Sequence, residues 1–560
     1  MTLAEHAQYT ARHLKLLAGG EYVKRFAIGF ALLCLCSLPL CADEGHQHHV
    51  NPNEKLGDVS FPISCAPAVQ KSFERGVALL HSFAYPEAEH AFEEVAANDP
   101  KCAMAYWGEA MSHYYQLWLR PHADTLKLGA DRLTKAKAIG AKTPRERDYI
   151  QALSTFYSDT DVATHDKRAA AYTAEMAKLH ERYPKDDEAS AFYALALIAS
   201  APPEDKSLAN LRKAAEILNT IIPRRPDHPG ALHYLIHACD NPQLAPMALD
   251  AARRYGDVAA SSAHAVHMPS HIFARLGYWQ DDIKANLASV EASKKPGAEM
   301  ASESALHAED FLTYAYLQIG ENDKAQQTIA DTEKHMGHSS PGMESYHEEL
   351  RTHLSSLYAL ETRHWADALA LQPPAGISPP AESVTYWAHA VAAGHLHNVA
   401  AAQKAVDQFQ AALDATKKGP RPYAAKGMEH DLKEAQAWQA FAADKVHDAV
   451  RQMREVADEQ DAVGKGEVEL PAREMLADML LEAKRYDEAL DEYKKSMKVD
   501  PNRFNGLYGA ARAAGLGSHP QVANEYYSKL VSNCGSSNQR PELAQARAAL
   551  GGMKSASGGR

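Results

Sequence analysis

Pro471-Ala-Arg-Glu-Met-Leu-Ala-Asp-Met-Leu-Leu-Glu-Ala-Lys-Arg-Tyr486-Asp-Glu-Ala489-Leu-Asp-Glu-Tyr493, closed by Pro501, decides the fold of this chain. Apolar residues recur at helical spacing on both sides of a short polar turn, so the stretch predicts two helices back to back. Ala489 and Tyr493 return 34 residues later as Ala523 and Tyr527. A small residue lets two helices approach, and an aromatic one turn later fills the space beside it. The same pattern stands near the other end in Tyr85, Ala88, Phe92 and Pro100. Looser copies surround Pro184, Ala214 and Pro226, Gly277-Tyr-Trp279, Gly320 to Ala325, Trp365 to Ala368, Gly394 and Ala449. No sustained period-two alternation appears, so strands are not expected.

This unit resembles the tetratricopeptide repeat (TPR), and the resemblance covers nearly all of the chain after its first sixty residues. It implies an all-α, right-handed solenoid of about a dozen helix pairs, each burying its face on the next. The chain divides accordingly. Residues 1–42 form a leader, 43–60 a polar His-containing tail, and 61–372 an N-terminal array. Residues 373–382 form a Pro-rich linker, 383–550 a C-terminal array, and 551–560 a Ser/Gly-rich disordered tail.

Composition narrows the function classes. The 560 residues are 46% hydrophobic and 23% charged, as in soluble globular proteins. A net charge of −13 argues against nucleic-acid binding, because a phosphate-neutralising face needs excess Lys and Arg. Lys24-Arg25 precedes the apolar run Phe26 to Cys41 and then Ala42-Asp43-Glu44, the layout of a secretory signal peptide. The 22 residues before Val23 read as a mis-called start. The expected location is the periplasm or outside the cell, with no membrane span after cleavage. Leu40 disfavours a lipid anchor on Cys41. Four of the seven cysteines lie beyond the leader: Cys65, Cys102, Cys239 and Cys534. Cys65 and Cys102 each precede the first helix of successive units, so they are expected to form a disulfide.

Twenty-nine histidines are present, and the segments that stand out are His228-Pro-Gly-Ala-Leu-His233-Tyr-Leu-Ile-His237-Ala-Cys-Asp240, His264-Ala-Val-His267-Met-Pro-Ser-His271 and His307-Ala-Glu-Asp310. His233 and His237 share one helix face by their i, i+4 spacing. The TPR resemblance implies that the first helix of each pair lines the concave groove. It directs His233, His237, His264, His267, His271, His307, Asp240 and Asp310 toward one concavity. Imidazole and carboxylate are ligands for zinc, copper and iron, so a divalent transition metal is the expected cofactor. His233, His237, His267 and His271 are the expected ligands, with His264, His307, Asp240 and Asp310 as further ligands or as their orienting partners. Tyr234 and Arg275 are expected to face a substrate. Pro269 interrupts the second segment, so Met268 is expected to leave helical geometry and a helix to start at Pro269. Tyr234 stands where a zinc protease with this His spacing needs a glutamate, which excludes that chemistry.

Phe61-Pro-Ile-Ser-Cys65, Cys102-Ala-Met-Ala-Tyr-Trp-Gly108, Pro471-Ala-Arg-Glu-Met475 and the His-rich segments also resemble a group of exported bacterial TPR proteins. That resemblance implies fold and location but no reaction. Two function classes follow from the residues. One is a metal-binding solenoid, with metal-assisted hydrolysis or oxidation as its chemistry. The other is a metal-free scaffold that holds a protein or peptide in its groove.

Overall fold

Helix pairs build the described part of the protein. The computed structural model describes residues 54–117, 120–202, 205–294, 301–337, 344–463, 466 and 468–557. Among them there is no strand. Gln70–His81 pairs with Tyr85–Asn98, Ala103–Ser112 with Ala123–Ile139, and so on to Ala472–Glu482 with Tyr486–Val499 and Phe504–Leu516 with Pro520–Cys534. Each helix packs on its successor, and the first helix of one pair also packs on the first helix of the next. The repeat signature is the packing signature. Ala88, Phe92, Ala489 and Tyr493 are fully buried. Each aromatic lies against a glycine in the first helix of the next pair. A Cβ on Gly108 would come within 2.3 Å of the Phe92 ring, and one on Gly509 within 2.2 Å of Tyr493. The absent side chain therefore sets how closely one pair sits on the next. The chain is a TPR-like α-solenoid.

The solenoid turns back on itself. Gly277 takes φ 65°, and a Cβ there would meet the carbonyl oxygen of Pro501 at 2.2 Å. Trp279 Nε1 donates to the carbonyl of Asn502 at 2.8 Å. Arg503 is buried between Glu361 (2.6 Å) and Glu474 (3.0 Å). These contacts hold the turn that follows the central His-bearing helices against a much later repeat.

Several boundaries differ from the sequence reading. Residues 51–560 form one compact unit, so the 373–382 stretch is a connection between helices and not a boundary between two arrays. Pro379 opens the helix Pro379–His395, and that helix packs on Glu344–Glu361 across the connection. Glu54 to Ser60, the end of the polar tail, is docked on the fold. Lys55 N donates to Ser261 Oγ at 2.8 Å, its carbonyl accepts from Ser261 N at 3.1 Å, and Leu56 is buried. The last helix runs Pro541–Ser557, past the predicted onset of disorder at Gly551, because Ala546 to Leu550 give it a strong helix-forming run. The leader 1–42 and the tail residues 43–53 lie outside the described residues. No helix among the described residues is long and apolar enough to cross a membrane.

A disulfide joins Cys65 and Cys102, with Cα atoms 5.0 Å apart. It ties the entry of the first repeat to the start of the second. Cys239 and Cys534 remain buried thiols, and burial pushes both up to about 12.

Candidate metal centre

Four helices position the central histidines. Pro229–Cys239 opens with Pro at its first turn, and the His228 side chain caps it, Nδ1 accepting from Ala231 N at 3.1 Å. The helix puts His233 and His237 one turn apart. Ala263–His267 is a five-residue helix capped by Ser262, whose Oγ accepts from Ala265 N at 3.3 Å. Pro269–Leu276 follows at once. Met268 keeps helical angles (φ −50°, ψ −34°), contrary to the expected departure, because Pro269 fits the first position of the new helix, where no N–H is needed. His267 and His271 therefore still face each other across the junction. His307 comes from Ala301–Gln318.

Six imidazoles form two triads. His233, His237 and His264 offer three ring nitrogens within 4.8 Å of one another, and so do His267, His271 and His307. In the first triad, His233 Nε2 lies 3.1 Å from His237 Nε2 and 3.1 Å from His264 Nε2. In the second, His267 Nε2 lies 3.0 Å from His271 Nε2. The triads adjoin. Ring centroids of His237 and His271, and of His264 and His267, are 6.3 Å apart. Three nitrogens at such separations match one ion with bonds of about 2.0–2.1 Å.

The outer ring nitrogens decide the tautomers. His233 Nδ1 meets the carbonyl oxygen of His81 at 2.5 Å, and a carbonyl only accepts, so Nδ1 carries the hydrogen. His271 Nδ1 meets Asp240 Oδ2 at 2.9 Å. Asp240 Oδ1 accepts from Arg275 Nε at 2.9 Å, a pairing that keeps the carboxylate ionised and therefore an acceptor. His267 Nδ1 meets Asn286 Oδ1 at 2.6 Å. The Asn286 amide nitrogen donates to Asp282 Oδ1 at 2.8 Å and to the Asp282 carbonyl at 3.0 Å, which fixes which end of the amide faces His267. Neutral His267 and His271 therefore both present an acceptor Nε2, and these atoms face each other at 3.0 Å. Two such lone pairs repel unless a cation lies between them. Ligating imidazoles elsewhere are held in the same way, with the second ring nitrogen donating to a carbonyl or carboxylate. In the first triad a proton is a costly occupant. Burial pulls His233 down to about 3, with His81 and His271 adding to the effect against a hydrogen bond to the His81 carbonyl. Burial, then His233 and its other neighbours, holds His264 well below the ordinary range.

Aromatic rings wall the triads. Phe83, in a left-handed conformation (φ 56°), lies 4.4, 5.4 and 5.6 Å from the ring centroids of His233, His237 and His264. Phe311 lies 4.9, 4.7 and 5.3 Å from those of His267, His271 and His307. His233, His267 and His271 are buried, whereas His237, His264 and His307 are partly exposed.

A third group, His81, Glu188 and His228, also has metal-ligand spacing and is wholly buried. Hydrogen bonds hold His81 and Glu188 in it, whereas the buried His228 Nε2 makes none among the described residues. Because His228 Nδ1 accepts from the backbone, its proton sits on Nε2, 3.4 Å from Glu188 Oε1. His81 Nε2 donates to Glu188 Oε2 at 2.7 Å, and His81 Nδ1 then accepts from Tyr234 Oη at 2.9 Å. Burial opposes ionisation of Glu188, but His228 and His81 outweigh it and hold the carboxyl far below its usual range. This knot fixes the end of Gln70–His81, and hence the carbonyl that orients His233.

The remaining expected site residues divide. Asp240 stands behind His271 as an orienting group. Its helix ends at Cys239, one residue short of it. Asp310 lies 3.4 Å from His353 Nε2 and is in neither triad. Tyr234, expected on a substrate surface, is fully buried and bound to His81, since it points about 100° around the helix from His233. Arg275, expected likewise, is buried and clamps Asp240. His81, Glu188, Phe83, Asn286 and Phe311 were not expected. Asn286 carries no sequence signal, and the others are ordinary core residues by pattern.

No family model matches the chain, and no curated protein is similar to it in sequence. Solved structures resemble it in part. A human IFIT1 dimer with m7Gppp-AAAA is 11% identical and covers 78% of this chain and 90% of its own, with a TM-score of 0.34. The P58(IPK) TPR domain is 12% identical and covers 87% and 99%, with a TM-score of 0.21. The APC/C hetero-tetramer Cut9-Hcn1 is 11% identical and covers 86% and 90%, with a TM-score of 0.32.

Proposed function

We propose that this protein is an exported TPR-like solenoid that holds two transition-metal ions side by side in its concave groove, one in each His triad. The observation that carries the reading is the facing pair of acceptor nitrogens on His267 and His271, each set by an anchored Nδ1–H. The all-imidazole donor set suits zinc, copper or iron and excludes magnesium and calcium, which require oxygen. His233, His237 and His264 would hold one ion, and His267, His271 and His307 the other. Three protein ligands per ion leave an open position, the arrangement of a reactive rather than a purely structural site. The Cys65–Cys102 bridge supports an oxidising compartment.

Metal analysis of protein made without a His tag, followed by reconstitution of the stripped protein, tests this. Two ions per chain are expected. His237→Ala and His271→Ala should each leave one, with helical circular dichroism nearly unchanged. Should the wild type hold no ion against a mild chelator, or the double variant keep both, the metal reading fails. The groove is then better read as a metal-free scaffold for a protein or peptide, the class such repeat surfaces serve.

A further inference from the structure

We propose that the two ions are copper and that the pair binds dioxygen between them; this rests on the two-ion reading above. The charge of the site points to it. Six neutral imidazoles contribute no negative charge. Asp240, which pairs with His271, is already matched by Arg275. Two divalent ions would therefore put four positive charges into a largely buried site with no anionic ligand, which low-dielectric surroundings penalise heavily. Two Cu(I) ions bring half that charge, and imidazole is a ligand for copper.

Dioxygen binding keeps this balance. Each Cu(I) gives one electron, the O–O bond order falls from two to one, and the resulting peroxide dianion bridges two Cu(II) ions. No proton is consumed and no bond to the protein breaks. The metal-ligand unit carries two positive charges before and after. The bridging dianion supplies the negative charge that the protein ligands lack. Geometry agrees. The triads match in number and donor, and imidazoles of opposite triads approach to 6.3 Å between centroids, so the open positions of the two ions can face one another. Phe83 and Phe311 each wall one triad, giving an apolar lining that favours a small uncharged molecule over water. The partly exposed edges of His237, His264 and His307 give that molecule a way in.

The test loads stripped full-length protein with Cu(I) under anaerobic conditions and then admits oxygen. We expect two Cu(I) per chain, uptake of one O2 per pair, an intense near-ultraviolet charge-transfer band, and no copper signal in electron paramagnetic resonance, because the bridged spins couple. His267→Ala and His233→Ala should each keep one copper, give an uncoupled Cu(II) signal in air and lose the band. Two coppers that oxidise to uncoupled Cu(II) without the band overturn dioxygen binding and leave the two-ion reading standing. Two zinc ions retained against excess Cu(I) overturn copper in the same way. A wild-type protein that binds no metal stoichiometrically overturns both readings.

Discussion

Replacing Asn286 by Leu should weaken one ion and spare the other. Asn286 is fully buried and reaches His267 through a 2.6 Å hydrogen bond to Nδ1. Leucine has nearly the same shape but cannot accept. His267 Nδ1–H then loses its strong acceptor, leaving Ser270 Oγ at 3.3 Å as the nearest alternative. A buried donor left without its acceptor costs about 1–3 kcal/mol, and the lost amide contact to Asp282 adds to that. The metal-free protein should therefore lose about 2–4 kcal/mol in urea unfolding, within the range for a disrupted buried network. Orienting groups of this kind typically change metal affinity by about 10–100-fold. Competition against a chelator should turn the titration biphasic, with the His267–His271–His307 ion released about 10–100 times more readily and the His233–His237–His264 ion unchanged. A folded variant that holds both ions as the wild type does, or loses both together, would refute the assignment of the His267 tautomer.

Three further outcomes follow from other parts of the molecule. Removing the Cys65–Cys102 bridge, which closes a 37-residue separation, should lower stability by about 3–4 kcal/mol in denaturant melts of the double Ala variant. Gly108→Ala forces a methyl into the Phe92 ring at 2.3 Å and should cost about 1–3 kcal/mol, with part regained in Gly108→Ala/Phe92→Leu; a cost that does not shrink in the double variant would remove Phe92 as the cause. Burial, followed by Arg120 and Arg168, pulls His165 down to about 4, so its neutral form is favoured in the folded state. The unfolded chain takes up a proton there below about pH 6.5, and the folded chain only below about 4. Stability should thus fall by about 1–2 kcal/mol as pH drops through that window and level off below it, a slope that His165→Gln should lack.

The repeat was legible because its signal is packing. Ala489, Tyr493, Ala523 and Tyr527 recur with the period of the structure, and the alanines and Tyr493 are core residues in it. Local spacing also carried His233 with His237, and His267 with His271, since i, i+4 neighbours share a face whatever the tertiary context. The docking of the first segment was not legible, for the opposite reason. Glu54 to Ser60 is polar, but its backbone finds Ser261 and Asp227 across the fold. Nothing within ten residues of Lys55 announces those partners.

The division of six histidines into two triads belongs to a deeper level, and it shows where sequence reasoning stops. His264 and His267 are three residues apart on one short helix, yet they serve opposite triads, because the helix runs between the two and ends at Pro269. Reading the histidines as one converging group, for one ion or a close pair, did not divide them into these two sets. The partition depends on neighbours with no ligand character: Phe83 and Phe311 as walls, and the His81 carbonyl, Asn286 and Asp240 as acceptors. Each of the three acceptors lies on a different helix or helix end from the imidazole that it orients. An imidazole in a sequence is ambivalent, donor or acceptor at either nitrogen, and only the group behind it settles which. With Asn286 and Asp240 in place, the nitrogens that meet at 3.0 Å between His267 and His271 are both acceptors, and the proposal of a metal rests on that facing pair.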